Sequence, residues 1–570
     1  MATEEARDCW RASPWCDLAF PRPEQTARYY AAGWWRERTF LDDLADAVRD
    51  RADHPAIIAY EDGQLARSLT YADLDVLVTR FAAALTELGA RRGTVVVPYL
   101  PNRWQFCVLY LACSRIGAVV SGVNPILGVV ELGRVLTYSQ ASICVTVASH
   151  RGVDFAARLA EVAPASLRHQ VVIGETSQPG TIDFDAFFVN TPWEDRHRLT
   201  AVAPSGPDEP SLLLYTSGTT GIVKGTVHSQ NTLYGGLRAE TDSLRLGPED
   251  ALCAPHYMTQ MAGLYPCFMA LMLGCTTVIF DPNTDMDVLL GLIAAHRISY
   301  VYAAPSYVRR LLDEQQRRPR DTASLRHFIA GSAPIGPELV TATQEILGIE
   351  LRALWGMTET GCTTITRADD PPGWAAHSDG SPVPWMEVRI APGEDAGGGE
   401  QEAGVGRLLV RGSSLCLGYL GQPDTYAQCV DRDGWFDTGD LARDDGRGGI
   451  KLVGRRSDLI SRADGHKVST LEVELALVTH PAVAEVALVG YPDPDVPGAE
   501  LVAAIVVPEG SPPTLPDLRE YLAEARMAKT TWPDRVLYLP ELPRNSLGKI
   551  QRADLRKQLE VRLSGNPVPE

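Results

Sequence analysis

Tyr215-Thr216-Ser217-Gly218-Thr219-Thr220-Gly221-Ile222-Val223-Lys224-Gly225 joins a short apolar run, residues 211–215, to a turn crowded with hydroxyls and glycines. The run reads as a buried strand and the turn as a loop built to hold phosphate. Gly218, Gly221 and Gly225 let backbone N–H groups approach a polyanion closely. Thr216, Ser217, Thr219 and Thr220 are hydroxyl donors for its oxygens, and Lys224 adds a positive charge. The spacing is not that of a Walker A loop, because Gly221 is followed by Ile222 and not by Lys-Ser/Thr. An ordinary nucleotide-triphosphatase loses its main support. Taken alone, the segment would also fit a flexible surface turn, so the remainder of the chain decides.

That remainder is long. At 570 residues the chain exceeds one ordinary core and should divide into two or more domains, and 45% hydrophobic with 22% charged residues is the balance of a soluble globular protein. The formal charge of −19 argues against non-specific binding to nucleic acid or an anionic membrane, so a phosphate ligand must be held by local donors. The acidic start Met1-Ala2-Thr3-Glu4-Glu5 lacks the basic and apolar regions of a signal peptide, and a cytoplasmic location is expected. The longest nearly uncharged stretch, residues 264–280, is interrupted by Pro266 and Gly274 and reads as a buried helix followed by a strand, with no membrane span expected. Eleven cysteines without a C-x-x-C pair suit free, mostly buried thiols more than disulfides or a zinc site.

From Leu69 onward helix and strand alternate. Thr70-Tyr71-Ala72-Asp73 has the form of a capping box, and Leu74, Leu77, Val78, Phe81, Leu85 and Leu88 share one helical face before Gly89. Short buried strands are expected at 95–97, 118–120, 275–280, 299–303 and 328–330, with a helix over 109–116. The pattern predicts an α/β protein whose parallel sheets are covered by helices. Residues 391–406, with Pro392 and six glycines, read as a solvated excursion, and short strands such as 407–410 suggest a small β section after it. A boundary is placed at Gly454-Arg455-Arg456-Ser457-Asp458, after which helix 471–479, strands 485–490 and 501–507, and helix 515–526 form a compact α+β unit.

Four further clusters follow the loop in order: Gly331-Ser332-Ala333-Pro334, Trp355-Gly356-Met357-Thr358-Glu359-Thr360-Gly361, Gly434-Trp435-Phe436-Asp437-Thr438-Gly439-Asp440 and Pro543-Arg544-Asn545-Ser546-Leu547-Gly548-Lys549. With the loop they resemble the adenylate-forming superfamily of acyl-CoA synthetases, peptide-synthetase adenylation domains and luciferases. The resemblance extends over residues 31–557. Leu100-Pro101-Asn102-Arg103-Trp104 and the run 109–119 look most like the cyclohexanecarboxylate-CoA ligase group.

The resemblance implies that a carboxylate attacks the α-phosphate of ATP to give acyl-AMP and pyrophosphate, and that a thiol, usually that of CoA, then displaces AMP. It also implies domains over 1–454, an AMP-binding adenylation domain, and 459–570, a small mobile domain, with a hinge at 455–458. Thr216 to Lys224 should grip the β- and γ-phosphates, Thr358 donate to the α-phosphate, and Glu359 bind a bridging Mg²⁺, a role for which a carboxylate suits a hard ion. Glu359 outside such a cluster would read as a surface acid. Ser332, Ala333 and Pro334 should lie along the adenine with Gly356 and Met357 nearby. Trp355 serves as an aromatic wall, a core residue, or both. Asp440, assisted by Arg455, should accept the ribose hydroxyls, and Lys549 should neutralise charge during adenylation. Ser457 and Asp458 mark the pivot, Gly465, His466 and Lys467 the CoA-facing loop, and Gln260, Met261, Gly263 and Gly331 the acyl pocket.

Three departures stand out from the family's pattern. Val223 replaces the usual proline of the phosphate loop, Gln260 takes the place of a common aromatic or histidine, and one extra residue lies between hinge and Gly465. They predict an unusual balance of half-reactions, favouring thioester formation from acyl-AMP over its synthesis. The leading function is an acid:CoA ligase for a hydrophobic, ring-containing acid, with alicyclic, aromatic, medium-chain and polycyclic terpenoid acids all admissible. A stand-alone enzyme loading a carrier protein in trans and a non-catalytic acyl-adenylate sensor are the alternatives. Retention of Lys549 and Glu359 counts against the sensor. A homodimer is the expected assembly.

Overall fold

The structure, a computed structural model, describes residues 10, 15–197, 199, 203–217, 223–392, 404–464, 466–544 and 550–563. Thr70 caps the helix Tyr71–Glu87 as its sequence predicts: its side chain accepts from Asp73 N, while Asp73 Oδ2 accepts from Thr70 N at 3.0 Å. All five residues of strand Val95–Tyr99 are buried, as a parallel strand covered on both faces requires. Helix Trp104–Ile116 is buried nearly all round, and Gly117, at φ 75°, turns the chain back into strand Val119–Gly122. The apolar stretch 264–280 resolves into helix Met261–Leu273, a left-handed turn at Gly274, and strand Thr276–Ile279.

These units build two large sheets. One runs Val223–Ser229, Pro210–Ser217, Val119–Gly122, Val95–Tyr99, Ile143–Val147, His169–Ile173, Ile182–Asp183. The other contains, in order, Gly361–Ile365, Leu351–Met357, His327–Ala330, Tyr300–Ala303, Ala251–Cys253, Thr276–Ile279, Pro55–Glu61 and Gln64–Thr70. Their interiors are parallel. Antiparallel hairpins occur where Pro210–Ser217 meets Val223–Ser229 and where Leu351–Met357 meets Gly361–Ile365. The connection within each of these two hairpins carries one of the motif clusters, so the candidate chemistry sits towards one end of each sheet.

Contacts divide the chain into two compact units, Met1–Ala376 with Pro382–Met386 and Arg411–Cys429, and His377–Ser381 with Glu387–Val410 and Val430–Glu570. Strands Phe436–Asp444 and Ile450–Arg455 therefore cluster with the C-terminal elements. Ser469 reaches back to this pair: its Oγ donates to Val453 O, and a Cβ on Gly454 would meet Ser469 Oγ at 3.0 Å. In this second unit the sheet of Val483–Pro492, Glu500–Pro508 and Arg535–Tyr538 has two apolar faces, because successive side chains alternate. Val486, Leu488, Val502 and Ala504 pack on Val473, Leu477, Leu518 and Leu522, whereas Ala487, Val489, Ala503 and Ile505 pack on Leu555 and Leu559. That is the α+β unit expected from the sequence, with a third helix, Arg552–Leu563, on the second face.

Residues 393–403 of the glycine-rich excursion lie outside the described residues. Among the described residues every cysteine is a free thiol, all but Cys16 and Cys429 being buried, and no helix is long and apolar enough to cross a membrane.

Candidate functional site

The phosphate-loop strand runs to Ser217 and the chain returns at Val223, with Thr216 opposite Lys224 and Ser217 opposite Val223. Gly218, Thr219, Thr220 and Gly221 lie outside the described residues. The returning strand is crowded on one side: a Cβ on Gly225 would meet Tyr138 Cε1 at 2.8 Å. Val223 is held from its carbonyl, which accepts from Gln422 Nε2 at 3.0 Å, and the same amide donates to Tyr138 Oη at 3.2 Å. A side chain thus anchors the loop exit where the family pattern has a ring-locked proline.

Strand Val223–Ser229 would be an open sheet edge, but residues 417–420 cover it through an antiparallel bridge at Thr226 and Tyr419. Val227 N donates to Gly418 O at 3.0 Å, Leu417 N to Val227 O at 2.8 Å and Leu420 N to Gly225 O at 2.8 Å. This bridge sets the Tyr419 ring under Lys224, whose Nζ lies 4.9 Å from the ring centroid. Tyr419 Oη then donates to Glu359 Oε1 at 2.7 Å. Glu359 is only 5% exposed. Burial and the neighbouring carboxylate push the Tyr419 phenol well above its usual range, so it stays a donor.

The turn bearing Thr358 and Glu359 is held from a second side. His228 Nε2 lies 2.7 Å from Thr358 O, and because a carbonyl only accepts, Nε2 carries the proton and Nδ1 faces Thr232 Oγ1 at 3.0 Å as an acceptor. Burial brings the His228 pKa down to about 4, which keeps the ring neutral. Lys224, Tyr419, Glu359, Thr358 and His228 thus form one connected group spanning the two hairpins. His228 and Tyr419 are absent from the residues singled out by motif. His228 shares a strand face with Lys224 by the period of two, a signal that was available, whereas Tyr419 has none short of that bridge.

Two glycines make the turn possible. A Cβ on Gly356 would lie 2.0 Å from Gly361 O, and one on Gly361, at φ 59°, would lie 1.9 Å from Tyr265 Oη. Gly356→Ala is therefore expected to destabilise the protein by about 3 kcal/mol, because the obstructing atom is backbone and cannot swing aside. A melting temperature within error of the parent would refute this.

The remaining candidates occupy stated places. Trp355 is buried on strand Leu351–Met357, with Met357 half-buried beside it. Gly331 closes strand His327–Ala330 against Leu354 O and Tyr302 Oη, each 2.6 Å from a Cβ placed there, and Ser332, Ala333 and Pro334 follow exposed. Ser332, at φ 68°, has its Oγ 3.3 Å from Tyr302 Oη. Gln260 precedes helix Met261–Leu273, and Gly263 lies so close to the preceding loop that a Cβ would meet Tyr257 O at 2.3 Å.

In the second unit, strand register sets Asp440 opposite Arg455, with Nε 3.1 Å from Oδ1 and Asp440 7% exposed. Ser457 and Asp458 form part of the short turn Arg456–Asp458, and Asp458 Oδ2 lies 3.4 Å from Arg552 Nε. Arg552 also donates to Glu474 Oε1 at 2.6 Å. His466 Nδ1 lies 3.2 Å from Asp464 Oδ2, and Lys467 begins the strand Lys467–Val468. Gly465 and Lys549 lie outside the described residues.

Residues 44–420 match the AMP-binding enzyme family, and residues 472–549 match the AMP-binding enzyme C-terminal domain. The chain is 32% identical over 562 residues to the salicyl-AMP ligase / salicyl-S-ArCP synthetase of Mycobacterium tuberculosis, covering 95% of this chain and 94% of that protein. It is 30% identical over 552 residues to the 2-hydroxy-7-methoxy-5-methyl-1-naphthoate–CoA ligase of Streptomyces carzinostaticus, covering 95% and 96%. The solved anthranilate CoA ligase AuaEII in complex with anthranoyl-AMP shares the fold, with a TM-score of 0.79 over 93% of this chain and 98% of that one at 24% identity. With the ordered motifs and the connected Lys224–Tyr419–Glu359 group, these matches identify the chain as a member of the AMP-binding enzyme family, an AMP-forming, adenylating acid ligase.

Proposed function

We propose that the protein activates a hydrophobic, ring-containing carboxylic acid with ATP and transfers the acyl group to the thiol of CoA. The observation that supports this most is the buried Glu359 carboxylate, tied through Tyr419 to Lys224 at the exit of the glycine- and hydroxyl-rich turn. Both steps gather negative charge: the acid's oxygen attacks the α-phosphorus and pyrophosphate leaves, then sulfur attacks the acyl carbon and AMP leaves. Cations and donors aimed at that charge are what such chemistry needs.

In this reading the turn after Thr216 holds the β- and γ-phosphates with Lys224, and Thr358 donates to the α-phosphate. Asp440 accepts the ribose hydroxyls beside Arg455, and Ser332–Pro334 with Trp355 flank the adenine. Among the described residues no group of three or more His, Cys, Asp or Glu could hold a metal alone. A lone buried carboxylate fits Mg²⁺, which takes one or two carboxylates and completes its shell with phosphate and water oxygens, so Glu359 would hold it. When bound, the ion supplies neutralisation of phosphate charge. Lys549 acts in adenylation, Ser457 and Asp458 form the pivot, and Gly465 to Lys467 face CoA in the second step.

The naphthoate–CoA ligase relative supports CoA and a ring-bearing acid. The salicyl-S-ArCP synthetase relative favours a second reading, a carrier-protein acceptor in place of CoA. The test is mass-spectrometric detection of products from ATP, Mg²⁺, CoA and a panel of aromatic, alicyclic, polycyclic and medium-chain acids. Acyl-CoA is expected with ring acids. Acyl-AMP without acyl-CoA would favour the carrier reading, and nucleotide binding without either product would favour a sensor. Slow acid-dependent exchange of pyrophosphate into ATP is expected from Val223 and Gln260, and fast exchange would remove the proposed bias towards the second half-reaction.

A further inference from the structure

His256 lies in the loop between strand Ala251–Cys253 and helix Met261–Leu273, and its Nε2 is buried without a hydrogen-bond partner. Such an atom is uncommon in a folded protein, because burial strips its water and returns nothing. The loop's backbone is pinned by one side chain. Asn102 Nδ2 donates to His256 O at 2.7 Å and to Phe280 O at 3.0 Å, while its Oδ1 accepts from Met258 N at 2.8 Å. Gly263 packs close beneath, where a Cβ would sit 2.7 Å from His256 O. Burial lowers the ring's pKa to about 4, so it is neutral, with one N–H donor and one acceptor nitrogen.

The ring's neighbours connect it to residues expected at the acid end of the site. His256 lies against Tyr302, ring centroids 5.2 Å apart at 31°. Tyr302 Oη approaches Ser332 Oγ at 3.3 Å and would be 2.6 Å from a Cβ on Gly331. The ring thus reaches Gly331 through Tyr302, and the backbone carbonyl of His256 lies against Gly263; Gly263 and Gly331 are two of the residues expected to line the acyl pocket.

We infer that His256 is the polar anchor of the acyl pocket, pairing with a hydrogen-bonding substituent on the acid's ring. The preferred acids then carry a hydroxyl, amino or carbonyl group and are not plain hydrocarbons. This rests on the acid-activating reading above and narrows its substrate class. A site built around a buried polar group discriminates strongly against the analogue that leaves it unpaired, whereas an apolar pocket barely distinguishes the two.

The test compares benzoate and 1-naphthoate with their monohydroxylated isomers in acyl-AMP formation, for the parent, His256→Phe and His256→Gln. The parent is expected to prefer one hydroxylated isomer over its unsubstituted acid by about 100-fold in kcat/KM. Phe, of similar size without nitrogens, should collapse that preference to within about 3-fold, the larger loss falling on the hydroxylated acid, and Gln should restore part of it. Equal losses on both acids would mark a structural role and overturn the inference, as would an unchanged preference in His256→Phe. If the parent activates only unsubstituted acids, the inference falls and the acid-activating reading stands. If it activates no acid in any series, both fall.

Discussion

Glu359→Gln is expected to slow acyl-AMP formation by about 100-fold or more, with the melting temperature close to that of the parent. The amide keeps the volume and still offers an oxygen to Tyr419 Oη, so the contact survives and the charge alone is lost. That charge is buried in a place where water screens little, and among the described residues no group of three or more His, Cys, Asp or Glu could hold a metal in its stead. Tyr419→Phe keeps the charge and removes its hydrogen bond, so a smaller loss of about 10-fold is expected. If Tyr419 acts only by positioning Glu359, the double variant will be no slower than Glu359→Gln alone. Single-turnover measurement with saturating ATP and Mg²⁺ reads the effect. A Glu359→Gln rate near that of the parent would remove the carboxylate from the mechanism.

The second large effect concerns stability and pH. Glu240, on helix Gln230–Leu244, is fully buried, and burial raises its carboxyl from 4.5 to about 7 against the opposing hydrogen bond from Tyr300. Tyr265, Tyr302 and the Cys362 thiol are the other titratable groups that interact with this seam. Between pH 4.5 and 7 the folded state binds this proton and the unfolded state releases it, so stability falls as pH rises through that window. The loss amounts to about 3 kcal/mol and is complete above pH 7. His228, His256 and His327, each lowered to about 4 by burial, act in the opposite sense between pH 4 and 6.5. The clean readout is therefore the difference between the parent and Glu240→Gln, which keeps an acceptor for Tyr300 and has nothing to ionise. The variant should gain up to about 3 kcal/mol on the parent at pH 8 and little at pH 5, measured by denaturant unfolding at each pH. A difference independent of pH would show that Glu240 is not the titrating group.

Much of this was legible in one sequence because the decisive features are local. The capping box at Thr70, the helix over 109–116 and the short buried strand at 95–97 each depend on neighbours a few residues away, and each forms where expected. The five clusters are local in the same sense, and the family they implied is the one the chain belongs to. What stayed hidden depends on distant pairing. Tyr419 reaches Glu359 only because residues 417–420 cover strand Val223–Ser229. His228 looked like one more strand residue until the second hairpin brought Thr358 O to it. The contact boundary falls upstream of 454, and Ser469 reaches back to Val453 O.

His228 and Thr358 are 130 positions apart in the chain, yet a single imidazole proton joins their turns. The consequence is one of portability. The glycine-rich loop is not a cassette: transplanted alone onto another scaffold, it would arrive without the ring that steadies the acidic turn or the 417–420 segment that seats Tyr419. The smallest unit able to travel is discontinuous, with three stretches of chain that only a shared core holds in register.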